Sequence, residues 1–398
     1  MALPSVSVNV TAQNFIVSNG EDPGDFLTGI MLYDNTLIKA VGGTAEVSNN
    51  YMQITSLSDW WARLSSNSGN GAFFPFDGFS GGEGAYYPLN SSEVRWPDGP
   101  TGSWKNQWWT VHNYLQYGGQ AVIGTTASAP FTSLNTHNLN AVFGVTSATD
   151  TYIDNILSAR DNDFIAVINV EDKETSTVPE GANGNKVYVY GSKYVLPLGT
   201  NPDEISSDAD YIETRLDADV AGCMARTKRV ASIWYEPAGA ARGKIINGDN
   251  LKDPPNATQS TSLYDARINP VLSFPGTGSM LFGNKTGATA GNIDDRIGAS
   301  SLIIYLKREL GAIAREVLFE RNDDITRSIF IGKASSILER VKGQKGITDY
   351  NIVCDTTNNT VELINSGYFI ADIFVKPVRA IEFLQLTFTN KEEQTDIN

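Results

Sequence analysis

Two histidines and two cysteines in 398 residues leave little material for metal or redox chemistry. Cys223 and Cys354 lie far apart in largely apolar surroundings, so neither a disulfide framework nor a zinc pattern fits, and both read as buried reduced thiols. His112 falls in the helical run 108–117 and His137 in the polar loop NTHNLN, with no H-x-x-x-H spacing to a second ligand. A Walker loop is missing, and Gly181-Ala182-Asn183-Gly184 sits in a turn with no helix after it. The start MALPSVSVNV has neither the charged nor the apolar region of a signal peptide. No apolar run approaches the ~18–20 residues that a bilayer span needs. Positive charge is scarce: 30 Lys and Arg against 45 Asp and Glu give a net charge of −15. That balance argues against a general nucleic-acid binder and makes self-assembly salt-sensitive. The expectation is a soluble, unsecreted chain with no cofactor, metal, nucleic acid or membrane as partner.

What is present is the composition of an ordered protein, with 41% hydrophobic and 19% charged residues over a length that suits two or three domains. The stretch 296–345 stands apart. It holds 10 Lys and Arg against 6 Asp and Glu, a net of +4, leaving 20 against 39 for the rest, a net of −19. Ile303, Leu306, Leu310, Ile313 and Val317 recur at helical spacing, with Ser300 or Ser301 as candidate cap. After the break at Asn322–Asp324 a second helix places Ile329, Ala334, Ile337, Leu338 and Val341 inside, with Gly343 just past its end.

At the N-terminus Val6, Val8 and Val10 alternate with polar residues, a strand pattern that needs a partner sheet, its own or a neighbouring subunit's. The break SNGEDPG, residues 18–24, reads as a hinge. Residues 25–200 alternate strands and helices, which predicts an α/β layer with parallel strands. The Gly- and aromatic-rich insertion 69–102 offers rings that could stack on sugars, although such loops more often pack on themselves. Four strands are expected near the end, at 352–355, 361–364, 368–376 and 381–389, the last two around Pro377.

One fragment, Gly276-Thr277-Gly278-Ser279-Met280, looks like the segment around a subtilisin nucleophile. A triad also needs a base and its orienting carboxylate, and the chain lacks an Asp-x-Gly strand end followed by a His-Gly helix start. Serine hydrolysis and glycan binding are the competing readings to a structural role.

Five motifs in order resemble contractile tail sheath proteins of bacteriophages. They are Asp219-Val-Ala-Gly-Cys-Met-Ala-Arg-Thr with Ile233-Trp-Tyr-Glu-Pro-Ala-Gly; Ile268-Asn269; Phe282-Gly283-Asn-Lys-Thr286 with Asp295-Arg296; Val317-Leu-Phe-Glu-Arg-Asn322; and Val375-Lys-Pro-Val-Arg-Ala-Ile-Glu-Phe383. Lys228, Phe282 and Ala380 depart from that family's usual Asp, Trp and Pro. The resemblance is good over 216–390, fair over 25–200 and absent in 69–102.

It implies a mixed α/β fold: a subtilisin-like, non-catalytic sheath core, an α+β inner C-terminal domain and terminal β-strand arms. The implied divisions are an arm and hinge at 1–24, an outer domain at 25–215, core and inner domain at 216–375 with the helix pair 300–342, and a C-terminal arm at 376–398. The resemblance further implies a non-enzymatic virion subunit, assembled in the host cytoplasm as hexameric rings in a helical sleeve. Its partners would be further copies of itself, a tail tube protein, and baseplate and terminator proteins; a tailocin or other contractile injection system is the alternative setting. The linking arms would be Val6, Val8, Val10, Phe383, Leu384, Leu386 and Phe388, with hinges at Gly20, Pro23, Gly24 and Pro377. Lys307, Arg308, Arg315, Arg327 and Lys333 are the candidates for facing the tube.

Overall fold

The computed structural model describes residues 7–10, 13–16, 26–31, 51–60, 103–124, 131, 137–146, 150–173, 183–195, 212–248 and 250–382. In chain order the elements begin with β1 (Ser7–Val10), β2 (Gln13–Ile16), β3 (Leu27–Met31), β4 (Tyr51–Ile54), α1 (Ser103–Leu115), β5 (Gln120–Gly124) and β6 (Ala141–Thr146). There follow α2 (Asp150–Ala159), β7 (Ile165–Val170), β8 (Lys186–Tyr190), β9 (Ser192–Val195), β10 (Ile212–Arg215), α3 (Asp217–Val230) and the short α4 (Gly239–Arg242). The remainder holds β11 (Leu251–Lys252), α5 (Ala257–Asp265), β12 (Ile268–Asn269), β13 (Val271–Phe274) and β14 (Gly278–Leu281). Last come α6 (Ile297–Val317), α7 (Asp324–Gly343), β15 (Ile347–Val353), α8 (Val361–Asn365) and β16 (Asp372–Pro377).

A seven-stranded sheet in the order β12-β8-β7-β6-β3-β5-β4 forms the centre. Every neighbouring pair in it is parallel except β4 with β5. A parallel sheet must be covered on both faces, and side chains of one strand alternate between them. Here Ile165 and Val167 join one buried cluster with Tyr114, Tyr117, Val220 and Cys223 of α1, α3 and the turn between α1 and β5. Ala166, Ile168 and Val170 join the other, with Ile153, Ile156 and Leu157 of α2 and Leu263 of α5. β12 extends this sheet from beyond residue 215, so both sides of the expected boundary share one sheet and one core.

The motif around Asp219 is buried structure. Tyr117 donates to Asp219 Oδ1 (2.8 Å) and accepts from the Ile246 N–H (2.9 Å). Lys193, fully buried, donates to the same carboxylate (2.7 Å) and to the Ile246 carbonyl (2.6 Å). Gly222 is required because a Cβ there would stand 2.4 Å from the Tyr117 ring.

Several local expectations are corrected. Residues 361–364 lie in a helix, capped by Thr360 accepting from the Leu363 N–H, because Thr-x-x-Leu after a turn satisfies a helix start. The N-cap of α6 is Arg296; Ser300 and Ser301 are inside it, and the Ser300 hydroxyl donates to the Gly184 carbonyl (2.6 Å). Ile329 is exposed and Phe330 takes the inward place, while Gly343 is the last residue of α7. The strand at the N-terminus pairs with β2, antiparallel, within its own chain. Residues 383–389 and the insertion 69–102 lie outside the described residues.

Candidate assembly surface

The helix pair is built on two matching apolar stripes. Leu302, Leu306, Leu310 and Ile313 of α6 meet Phe330, Ala334, Leu338 and Val341 of α7, with Ile347 and Cys354 closing the cluster. Each fully buried side chain of this size contributes roughly 1.5–3 kcal/mol, so the pair is held firmly by its seam. The connecting turn exposes Phe319 (81%), and Asp323 caps α7 by accepting from the Thr326 N–H (2.9 Å).

Against this pair packs a two-stranded antiparallel hairpin, β15 with β16. Ile373 and Val375 turn toward the helices, while Asp372, Phe374 and Lys376 turn outward, with Phe374 59% exposed. Among the described residues neither strand has a second neighbour. Among those residues each therefore has one edge without a strand neighbour, a template for an added strand.

The pair is also joined to the central sheet. Trp234 Nε1 donates to the Gln344 carbonyl (3.2 Å), and the Gly298 N–H at the start of α6 donates to Glu236 Oε2 (3.1 Å). Burial pushes the Glu236 carboxyl up to about 8. Lys307 Nζ donates to the carbonyls of Asp161 (3.0 Å) and Asn162 (3.3 Å), and Arg308 donates to those of Leu139 and Asp163. These carbonyls lie where the chain enters β6 and β7, so α6 is pinned across the sheet's end.

Three comparisons place this arrangement among known proteins. Residues 295–391 match the phage tail sheath C-terminal domain. The chain is 39% identical to the tail sheath protein of Enterobacteria phage T4 over 173 residues, 44% of this chain and 26% of that protein. It is 36% identical to the tail sheath protein of Vibrio phage KVP40 over 181 residues, 46% of this chain and 27% of that one. Over these spans the chain is similar to phage tail sheath proteins. Its matches thus span about a quarter of these curated relatives. The fold is similar along almost the whole chain to two sheaths solved by cryo-EM in the contracted state. One is the PVC sheath of an extracellular contractile injection system (TM-score 0.67, 16% identity, 99% of each chain). The other is the helical sheath of the anti-feeding prophage (TM-score 0.65, 16% identity, 98% of this chain and all of that one).

The fragment that resembled a nucleophile lies in a strand of the subunit. Ser279 is buried in β14, and its hydroxyl donates to the Gly248 carbonyl (2.5 Å). His112 is buried in α1 and His137 is half-buried near Tyr51. The cysteines are both free and buried. No group of metal-binding side chains and no helix able to cross a membrane occurs among the described residues.

Of the five basic side chains expected on the tube-facing surface, the structure buries two, Lys307 and Arg327, and half-buries Arg308. Lys307 and Arg308 are tied to carbonyls of their own subunit as described, and burial pushes the Lys307 amine down to about 7. Arg327 is buried against Asn322 Oδ1 (2.5 Å) and Asp324. For Lys307 and Arg308 helical spacing could not show this, because the carbonyls that receive them come from strand entries more than 140 residues earlier. Arg315 is half-buried, and Lys333 is exposed in an ion pair with Glu316. Val8 and Val10 lie in β1 and Pro377 ends β16 opposite Ile347. Val6, Gly20, Pro23, Gly24, Phe383, Leu384, Leu386 and Phe388 lie outside the described residues. Glu236, Arg379 and Glu382 carry no signal in the sequence beyond their place in the sheath-like motifs.

Proposed function

We propose that this chain is the structural subunit of a contractile phage tail sheath, polymerising as hexameric rings in a helical sleeve around a tail tube. Contraction of the sleeve would drive the tube through the host envelope, with the protein residing in the virion tail. The observation that carries the reading is the β15–β16 hairpin, held on a rigid helix pair with an open edge on each strand. Strand addition from neighbouring subunits gives directional, repeatable linkage. The donors are the N-terminal strand with Val6, Val8 and Val10 and the C-terminal segment with Phe383, Leu384, Leu386 and Phe388. Gly20, Pro23 and Gly24 and the Pro377 corner act as hinges that let rings rotate without breaking the mesh. Residues 25–215 face outward, and the core has the subtilisin-like arrangement without its catalysis. Arg315 and Lys333 are the remaining candidates for weak contact, ~0–1 kcal/mol each, with an acidic tube. Contraction runs from a metastable extended state to a lower minimum, the energy being stored at assembly. Tailocin sheaths share this assembly chemistry; the 39% identity to a phage sheath favours the phage setting.

The test is negative-stain electron microscopy of the purified chain at high concentration and varied salt, beside a chain lacking residues 1–12. Ribbed hollow tubes or rings from the full chain, and folded monomers from the truncation, are the expected pair of results. Tubes from the truncated chain would sink the arm mechanism. Monomers from the full chain, even with tail tubes added, would sink the sheath reading.

A further inference from the structure

We propose that the dipeptide Asp295–Arg296, just ahead of α6, is a releasable clasp for residues 378–382 and fixes the direction in which the chain leaves the subunit after Glu382. This deepens the reading of 376–398 as a linking arm and rests on it. After β16 the Val378 N–H donates to the Gly346 carbonyl (3.0 Å). Beyond that point charges hold the segment. Arg379 Nη1 reaches Asp295 Oδ1 (3.3 Å) and Oδ2 (3.5 Å). Arg296 makes a two-pronged contact with Glu382, Nη2 to Oε2 at 3.0 Å and Nε to Oε1, and Asn284 Nδ2 adds a third donor (3.4 Å).

The two receiving residues carry opposite charges and meet partners of the opposite order. A strap sliding or reversing over this dipeptide would set like charges together, so one register is favoured. The receiving side is fixed: Asp295 is buried and accepts from the Gly291 N–H (3.1 Å), and Arg296 is the N-cap of a 21-residue helix. The strap side is not buried. All five residues 378–382 are exposed, Ile381 to 85%, so no apolar seam opposes release. A contact made of half-solvated ion pairs is screened by salt and opens without unfolding the domain. The hydrogen bonds from Arg296 hold the Glu382 carboxyl below its ordinary range, in line with a formed pair. Such a clasp lets the arm root re-aim when neighbouring rings turn, while α6 stays pinned to the sheet.

A nitroxide on Ile381→Cys of the full chain reads the clasp directly. Cys223 and Cys354 are buried, and burial pushes their thiols up to about 12 and about 11, so labelling is selective. At low salt the label is restricted. Arg296→Glu should raise its mobile fraction about fivefold, the ratio carried by an ion pair of this exposure. The exchanged pair Arg296→Glu with Glu382→Arg should restore restriction. About 1 M NaCl, where charges beyond ~3 Å are screened, should mobilise the label without any change at the pair. A label equally mobile at low and high salt, or an exchange that restores nothing, overturns the clasp; the salt series decides even if Arg296→Glu fails to fold. Microscopy of the same chains separates the two claims. Salt-sensitive restriction in a chain that forms no sheath even with tail tubes added would refute the sheath reading alone, and sheaths without it would refute the clasp alone.

Discussion

Replacing Arg308 by Met should unfold the subunit more easily instead of loosening a contact with another protein. The Arg308 guanidinium donates to the Leu139 and Asp163 carbonyls, both residues being buried at the entries to β6 and β7. Methionine fills much of the aliphatic volume but leaves both carbonyls without that donor. Each buried acceptor stripped of its partner costs about 1–3 kcal/mol. Desolvation of the guanidinium, which burial already penalises, offsets part of this. A net loss of about 3 kcal/mol follows. Lys333→Met removes only an exposed pair with Glu316 and should cost under about 1 kcal/mol. Urea unfolding of dilute subunit, followed by tryptophan fluorescence, measures both. At a slope of about 3 kcal/mol per molar the first variant shifts the midpoint by about 1 M. An Arg308→Met chain as stable as its parent, yet unable to assemble on tubes, would refute the pinning role and return this arginine to an intermolecular surface.

Two further outcomes follow from the buried core. His112 has its pKa pushed down to about 4 by burial and, secondarily, by the Lys193 charge. Below its unfolded value of about 6.5 the unfolded chain binds a proton that the fold refuses, so stability falls as pH drops from about 6.5 toward 4. Between pH 7 and 5 the parent should lose about 2 kcal/mol more than His112→Gln, read from urea midpoints at each pH; equal losses would remove His112 from the acid response. Gly222→Ala would drive a methyl to 2.4 Å from the Tyr117 ring, which Asp219 and the Ile246 N–H hold in place. An overpacking cost of about 1–3 kcal/mol should appear as a lower melting temperature, and an unchanged melt would mean that the ring can move.

The helix pair was legible in the sequence because a stripe at three- and four-residue spacing has one stable solution, an apolar face buried against a partner. The alternation in residues 25–200 likewise announced a covered parallel sheet, since strands such as FIAVINV are apolar on both faces. The family motifs were readable as patterns. What they do was not: Asp219, Gly222 and Glu236 act through Tyr117, Lys193, Ile246 and Gly298, partners brought together only by folding. Periodicity sees apolar faces, and it ranks a basic residue beside such a face as solvated. It had no means to see the carbonyls at the ends of β6 and β7 that draw Lys307 and Arg308 inward. The sequence by itself determined the α/β class of fold and the place of the helix pair. Tertiary structure decided which charges are internal fastenings and which stay at the surface, because an ion's partner is chosen by distance in space and by the cost of leaving a buried polar group unpaired.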